Sequence, residues 1–478
     1  MVVMDEFVHP LTSRYASAPM RRLWSPAHKF GLWRRLWLEL MRAERDLGLE
    51  IPGDAIEQLA QRLEPTPAEL ARADEIEHET RHDVMAHVRA VAEIAPAAGP
   101  WLHMGATSAF VGDNADLITL RAAAGLVVAR AAGVVAALAR FAAAHRALPC
   151  LGHTHFQPAQ PTTVGKRATL WLADLLLDLE RLEWERGRLM LRGAKGTTGT
   201  QASFLQLLGS DEKVRELDRR VAAAFGFPGS YPVTGQTSPR KPEFYLLSCL
   251  SGVAQSATKF ATDVRLLSRL KELDEPAETG QVGSSAMPYK RNPMRCERMC
   301  ALGRYLISLE PNAAWTSASQ WLERTLDDSA NRRLVLPEAF LTADAILLLW
   351  RSVAAGLEVY PAMIRRNLAE ELPFMASEGI LLAAAARGGD RQLLHEKLRV
   401  AAREAARRVK VEGEDNPLLD LIVGDAAFGL DRGTIDGLLD PNRYVGRAPA
   451  QVDEFLAGAV EPWLAVHRSN DADEEPRV

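Results

Sequence analysis

The feature that most limits how this chain can fold is a seven-residue rhythm. Leu246, Leu250, Val253, Ala257, Phe260, Val264 and Leu267 follow one another in alternating steps of four and three. Those steps keep one face of an α-helix apolar, and repeated in sequence they describe a left-handed bundle of nearly parallel or antiparallel helices. A helix lying on a sheet would need alternating β-branched runs elsewhere, and almost none occur. Two other stretches obey the helical rule. Phe30, Trp33, Trp37 and Leu40 line one face before Gly48 and Pro52 end the run, and Leu172, Leu175, Leu176, Leu179 and Leu182 line a helix over about 162–191. The expected fold is all-α, with three helical domains over 1–108, 109–360 and 361–478, the middle one a bundle of long helices. The boundaries follow the glycine-bearing polar stretch 105–114 and Tyr360-Pro361, which comes after a helix over 341–357.

Composition excludes several classes. A formal charge of -5 over 478 residues and a pI near 6.2 give no general case for binding nucleic acid or a membrane surface. The segment 122–144 is rich in Ala and Val, but Arg130 and Arg140 interrupt it before a membrane span of roughly 20 residues is reached, so a buried, tightly packed helix is expected. Cys150, Cys249, Cys296 and Cys300 form neither a paired framework nor a Cys-x-x-Cys clip, which fits a reducing, cytoplasmic setting. The first residues lack the basic and apolar regions of a signal peptide, and the acidic stretch 471–475 is expected to be solvated.

Chemistry concentrates in a few stretches. Gly283-Ser284-Ser285-Ala286-Met287-Pro288-Tyr289-Lys290-Arg291-Asn292-Pro293 sets two serines and a lysine on a glycine-led loop. Asn292 is the expected N-cap and Pro293 the first residue of a helix whose positive end would suit an anion. His78-Glu79-Thr80-Arg81-His82 satisfies the zinc pattern H-E-x-x-H in form, yet no third-ligand motif follows, and Arg81 and Asp83 better suit gripping an anionic substrate. The run 193–200, Gly-Ala-Lys-Gly-Thr-Thr-Gly-Thr, has a phosphate-loop composition but lacks the Gly-Lys-Ser/Thr ending; it is either a substrate-contacting loop or a plain turn. Thr154-His155-Phe156 sets a histidine in a polar loop expected between two helices, where it could exchange a proton with a leaving group, and His153 leaves the assignment ambiguous. Arg324, Arg332 and Arg333 lie within ten positions at an expected helix start, and guanidinium forks suit carboxylates and phosphates.

Together these stretches resemble the fumarase and aspartase superfamily of lyases, whose signature Gly-Ser-x-x-Met-x-x-Lys-x-Asn is filled by Gly283, Ser284, Met287, Lys290 and Asn292. Gly105-Ala106-Thr107-Ser108 with Asp113-Asn114, and Thr154-His155, are similar to two further segments of that superfamily. Ser13-Arg14-Tyr15-Ala16-Ser17, Arg81 to His87, Lys195 to Phe204, Arg324 to Arg333 and Glu371 to Ala376 most resemble its adenylosuccinate lyase family, and the likeness runs over about 13–464.

The resemblance implies a cofactor-free and metal-free β-elimination that releases fumarate from purine nucleotide substrates. It implies Ser284 as general base and His155 as general acid, although chemistry alone leaves Ser284 and Ser285 open, on a loop expected to close over substrate. Arg14, Tyr15, Arg81, His82, Asp83, Thr107, Ser108, Gln236, Lys290, Asn292, Arg298, Arg324, Ser329 and Arg333 are the implied substrate contacts. It further implies a homotetramer whose helical core is shared and whose active sites draw on three subunits; the stripe from Leu246 to Leu267 is expected to serve helices of partner chains. Rival readings are another fumarate-releasing lyase of the superfamily and a non-catalytic protein on the same scaffold.

Overall fold

The structure, a computed structural model, describes residues 5–277, 287 and 289–467. Three helices lead, α1 (Pro26–Asp46), α2 (Pro67–Thr80) and α3 (Asp83–Ile94). They are followed by α4 (Ser108–Ala144), a hairpin of β1 (Pro149–Thr154) and β2 (Gln157–Thr163), and then α5 (Val164–Gly187), α6 (Lys241–Arg269), α7 (Met294–Ala318) and α8 (Asp327–Ala355). Shorter helices fill the intervals and the C-terminal part. Helices α4 to α8 pack on one another as the expected bundle.

Local signals explain the element starts. Ser25 accepts a hydrogen bond from the His28 backbone N–H (3.3 Å) and Pro26 opens α1. The Thr163 hydroxyl likewise accepts from the Lys166 N–H (3.1 Å) at the head of α5. That helix covers Val164–Gly187 and is shorter than the expected 162–191, because the residues before it are drawn into β2.

The stripe from Leu246 to Val264 is wholly buried and Leu267 nearly so. Its neighbours are α5, α7 and α8 of the same chain. The expectation that this stripe serves partner chains is therefore corrected: three helices of its own chain already cover it. Phe260 on α6 meets Trp171 of α5 edge-on at 5.1 Å and stacks on Trp350 of α8 at 5.4 Å, which fills the centre of the bundle with rings.

Helix α4, at 37 residues, has the length and apolar composition to cross a membrane. Here it is enclosed by α1, α5 and α8. Its Arg130, 3% exposed, forms an ion pair with the buried Asp344 of α8 (3.4 Å), which also accepts the Ser17 backbone N–H (2.6 Å). A charge inside the apolar helix thus fastens the N-terminal segment to the bundle. One large core joins α1 to the bundle. A second, built from residues such as Ile380, Leu394, Leu418, Ile422 and Ile435, belongs to the C-terminal part, while Val452, Leu456 and Val460 return to the first.

Glu44 of α1 is fully buried, neither carboxyl oxygen has a hydrogen-bond partner among the described residues, and burial pushes the group up to about 8. The folded chain holds a proton there that the unfolded chain releases near pH 4.5. Stability from this proton is complete below the unfolded value and is lost as pH rises toward the folded one. Glu44→Gln should therefore be more stable than the parent above about pH 8, by roughly 2 kcal/mol or more, and nearly equal to it near pH 5. Melting curves at both pH values check this, and a gap that does not change with pH would refute it.

Candidate active site

A cleft of about 660 Å³ opens where α4, α6 and α8 begin. Its floor is a set of buried charges. Arg332 of α8 donates to Glu243 of α6 (2.6 Å) and to Asp116 of α4 (2.8 Å). Arg240, just before α6, donates to Asp328 of α8 (2.9 Å) and Asp113 of α4 (3.1 Å), and the Ser238 N–H donates to Asp113 as well (2.6 Å). Burial alone would raise the Asp113 carboxyl, but Arg240 and Arg332 outweigh it and hold it at about 2. Asp116 goes the other way: burial pushes it up, Asp113 and Glu243 add to that, and Arg332 compensates only in part.

The walls carry seven of the expected substrate contacts: Arg81, His82, Asp83, Ser108, Arg324, Ser329 and Arg333. Arg81 takes the left-handed conformation (φ 54°) and ends α2, and His82 caps α3 by accepting the Met85 N–H on Nδ1 (3.3 Å). His78 and His82 therefore do not share one helical face, the geometry the H-E-x-x-H zinc pattern requires. Asp83 accepts from Arg333 (3.0 Å), linking α3 to α8 across the cleft. Thr107 stands at the N-cap position of α4, and its side chain makes no capping bond.

Gln236 is not among the residues lining this cleft; it precedes by two positions the Ser238 that bonds Asp113, and the segment after Leu191 supports it. Arg192, fully buried, donates to the carbonyls of Gln236 (2.7 Å), Gly193 (3.0 Å) and Gly196 (2.7 Å). Lys195 pairs with Asp218, which also accepts from Ser230 Oγ (3.0 Å). Gly199 has φ +81°, and a Cβ there would fall 1.9 Å from the Thr234 carbonyl oxygen, so no other residue fits. The run 193–200 is neither a free phosphate loop nor a plain turn; internal charges clamp it, and Gln236 donates to its Thr197 carbonyl (3.1 Å).

The other expected residues lie elsewhere. His155 sits at the tip of the β1–β2 hairpin with φ 53°, exposed, and not in a loop between two helices. Neighbouring His153 stacks on Phe156 at 5.9 Å. The hairpin follows the far end of α4, which at 1.5 Å per residue lies about 55 Å from the cleft at Ser108. His155 is not among the residues that line the cleft of its own chain.

A third group gathers near the start of α7. Arg298 and Arg14 both lie over the Tyr15 ring at 5.9 Å, and Arg298 Nη1 is buried without an acceptor among the described residues. Lys290 is exposed, and Asn292 precedes the helix. The expected cap is corrected here: α7 begins at Met294 with Pro293 in the N-cap position. The buried Glu275 carboxylate accepts the N–H groups of Arg295 and Cys296 (3.0 Å each). The anion expected at this helix end is a side chain of the protein itself. Ser284 and Ser285 lie outside the described residues.

Sequence reasoning missed Lys29, Asp116 and Arg240, which line the cleft. It also missed Arg192 and Glu275, which act through residues far away in the chain.

A family model described as Lyase matches residues 38–305, and one described as Adenylosuccinate lyase C-terminus matches residues 373–455. The chain is 49% identical to the adenylosuccinate lyase of Saccharomyces cerevisiae over 476 residues, 99% of each chain. It is 48% identical to that of Schizosaccharomyces pombe, over 98% of this chain and 97% of the other. Among solved structures, a fumarate lyase from Mesorhizobium sp. BNC1 superposes with a TM-score of 0.79 at 26% identity, covering 93% of this chain and 99% of that one.

Adjacent arginines give a test. Arg332→Leu leaves Glu243 and Asp116 without their buried partner and should cost about 3–5 kcal/mol of stability. Arg333→Leu, at a side chain 61% exposed, should change stability by less than about 0.5 kcal/mol and instead weaken binding of an anionic ligand. Denaturant unfolding of both variants checks this, and equal losses would contradict the division.

Proposed function

The chain belongs to the adenylosuccinate lyase family, and we propose that it performs β-elimination on adenylosuccinate, giving AMP and fumarate, and on the succinylated aminoimidazole carboxamide ribotide, giving its carboxamide and fumarate. The observation that carries the reading is the cleft, where Arg81, Arg324 and Arg333 converge with His82 and Ser108 in a volume able to enclose a nucleotide. Such a substrate brings one phosphate and two carboxylates, and guanidinium forks match both groups.

The chemistry sets the roles. A base removes the C–H proton next to a succinyl carboxylate, and the electron pair spreads onto that carboxylate as an aci-carboxylate dianion. Collapse of the dianion forms the fumarate double bond and breaks the C–N bond, whose electrons go to the departing nitrogen. Ser284 is the base and His155 the acid that delivers a proton to that nitrogen. A serine hydroxyl needs positive charge nearby to act as a base; Glu275 occupies the amides at the start of α7, so that role falls to Lys290. The remaining contacts, Arg14, Tyr15, Thr107, Gln236, Asn292 and Arg298, complete the hold on phosphate, sugar, base and carboxylates.

His155 lies on a hairpin past the C-terminal end of α4 and does not line the cleft of its own chain, which supports a site drawing on more than one copy. We read the active unit as a homotetramer with sites assembled from three chains. An exposed stripe on α5 supports this: Leu170, Leu177 and Trp184 recur every seven residues and are 48%, 66% and 49% exposed. The four cysteines, all free and buried, fit a cytoplasmic enzyme.

Release of fumarate from adenylosuccinate, followed spectrophotometrically, tests the activity; no release by a folded tetramer would overturn it. His155→Ala and Ser284→Ala should each lower turnover by at least about 100-fold with the oligomer intact. Mixing the two inactive variants should restore part of the activity if acid and base come from different copies. No recovery after demonstrated subunit exchange would count against shared sites.

A further inference from the structure

Lys29, half-buried on the first turn of α1, lines the cleft together with Arg81 and Arg333. Its ammonium rests over the rings of Phe30 (5.2 Å) and Trp33 (5.1 Å), and it makes no hydrogen bond or ion pair with any described residue. The carboxylates nearest to it are engaged elsewhere: Asp116 accepts from Arg332 (2.8 Å) and Asp83 from Arg333 (3.0 Å). Glu77, the third acidic group facing it, does not reach ion-pairing distance. Drawing an ammonium partly out of water is unfavourable, and resting on an aromatic face returns only about 0.5–2 kcal/mol of that cost. The imbalance is visible in the group itself: burial, helped by Arg333, holds Lys29 below the ordinary lysine range despite Asp116, Asp83 and Glu77. Arg240 and Arg332, the buried cations of the same cleft, each have a carboxylate at hydrogen-bond distance, and the half-buried Lys29 has none among the described residues.

We propose that Lys29 is a substrate-binding residue, whose ammonium takes an anionic oxygen, of phosphate or of a succinyl carboxylate, from the nucleotide bound in this cleft. The inference rests on the proposed function for the identity of the substrate, but not for the binding of an anion. An incoming oxygen completes the hydrogen bonding that the free protein leaves unmade, so its contribution exceeds that of a surface lysine. The aromatic faces of Phe30 and Trp33 hold the side chain in place before the ligand arrives, which reduces the ordering cost on binding.

The test uses the full-length protein with Lys29→Gln and Lys29→Arg, and with Lys29→Met in place of the first should it fail to fold. KM for adenylosuccinate should rise about tenfold to a hundredfold in the neutral variant and largely recover with arginine. Calorimetric titration with AMP and, separately, with succinate identifies the group held. Affinity lost for AMP alone assigns phosphate, and affinity lost for succinate alone assigns carboxylate. A folded neutral variant with KM and both affinities within twofold of the parent overturns the proposal, as does a fall in melting temperature with binding unchanged. These titrations need no turnover, so they stand even if adenylosuccinate proves not to be the substrate.

Discussion

The cleft depends on one buried exchange of charge, in which Arg240 and Arg332 are shared among Asp113, Asp116, Glu243 and Asp328. These six residues come from the starts of α4, α6 and α8, so the network pins three long helices to one another at a single end. Apolar stripes of Ala, Val and Leu look much the same one turn further along and set helix register weakly. A buried guanidinium that has lost its carboxylate costs several kcal/mol, so register here is enforced by the penalty for misalignment. With Arg332 fixed toward the interior, Arg333 is rotated by about 100° to the cleft side of α8, and Ser329, one turn earlier, lies on the same face. The contact surface of the site is thus a consequence of the framework beneath it.

The same framework divides the chemistry. A 37-residue helix runs without interruption from Ser108 in the cleft to the approach of the hairpin that carries His155. A stiff helix of this length cannot bring its two ends together. In the proposed reaction, proton delivery at one end and anion binding at the other call for copies lying alongside one another in opposite senses, so that the hairpin of one meets the cleft of another. The exposed heptad stripe of α5 is an apolar surface of the kind such packing covers.

What the sequence disclosed, and what it hid, follows the range of the interactions. The bundle was legible because helical periodicity is local: the stripe from Leu246 to Leu267 lies wholly within α6. The hairpin was not, since Gln157-Pro158-Ala159-Gln160-Pro161 carries two prolines and reads as loop, and pairing with β1 over a bulge at Leu151/Gly152 is what makes it a strand. Asn292-Pro293 has the residues of a helix start, yet the amides there are satisfied by Glu275 from nearly 20 positions away, a partner no local pattern reveals. The histidine pair at 78 and 82 assumed one continuous helix that the left-handed Arg81 interrupts. Seven expected contacts converge in the cleft because the family likeness supplied them; Lys29 had no such signal, and a lysine on an amphipathic helix reads as a solvated face until the packing of distant elements encloses it.

One physical criterion separates the arginines of this chain. Arg240 and Arg332 are buried and saturated with carboxylates, and their charge is consumed by the fold. Arg14, Arg81, Arg298 and Arg324 share no ion pair with a carboxylate among the described residues. At an exposed position that observation means little, since water solvates a free guanidinium at no cost. At Arg298 it means more, because Nη1 is buried with no acceptor among the described residues, a position where an anionic ligand group would offset its desolvation. Lys29, half-buried in the cleft and likewise without a carboxylate partner among the described residues, invites the same reading of a cation kept for a ligand.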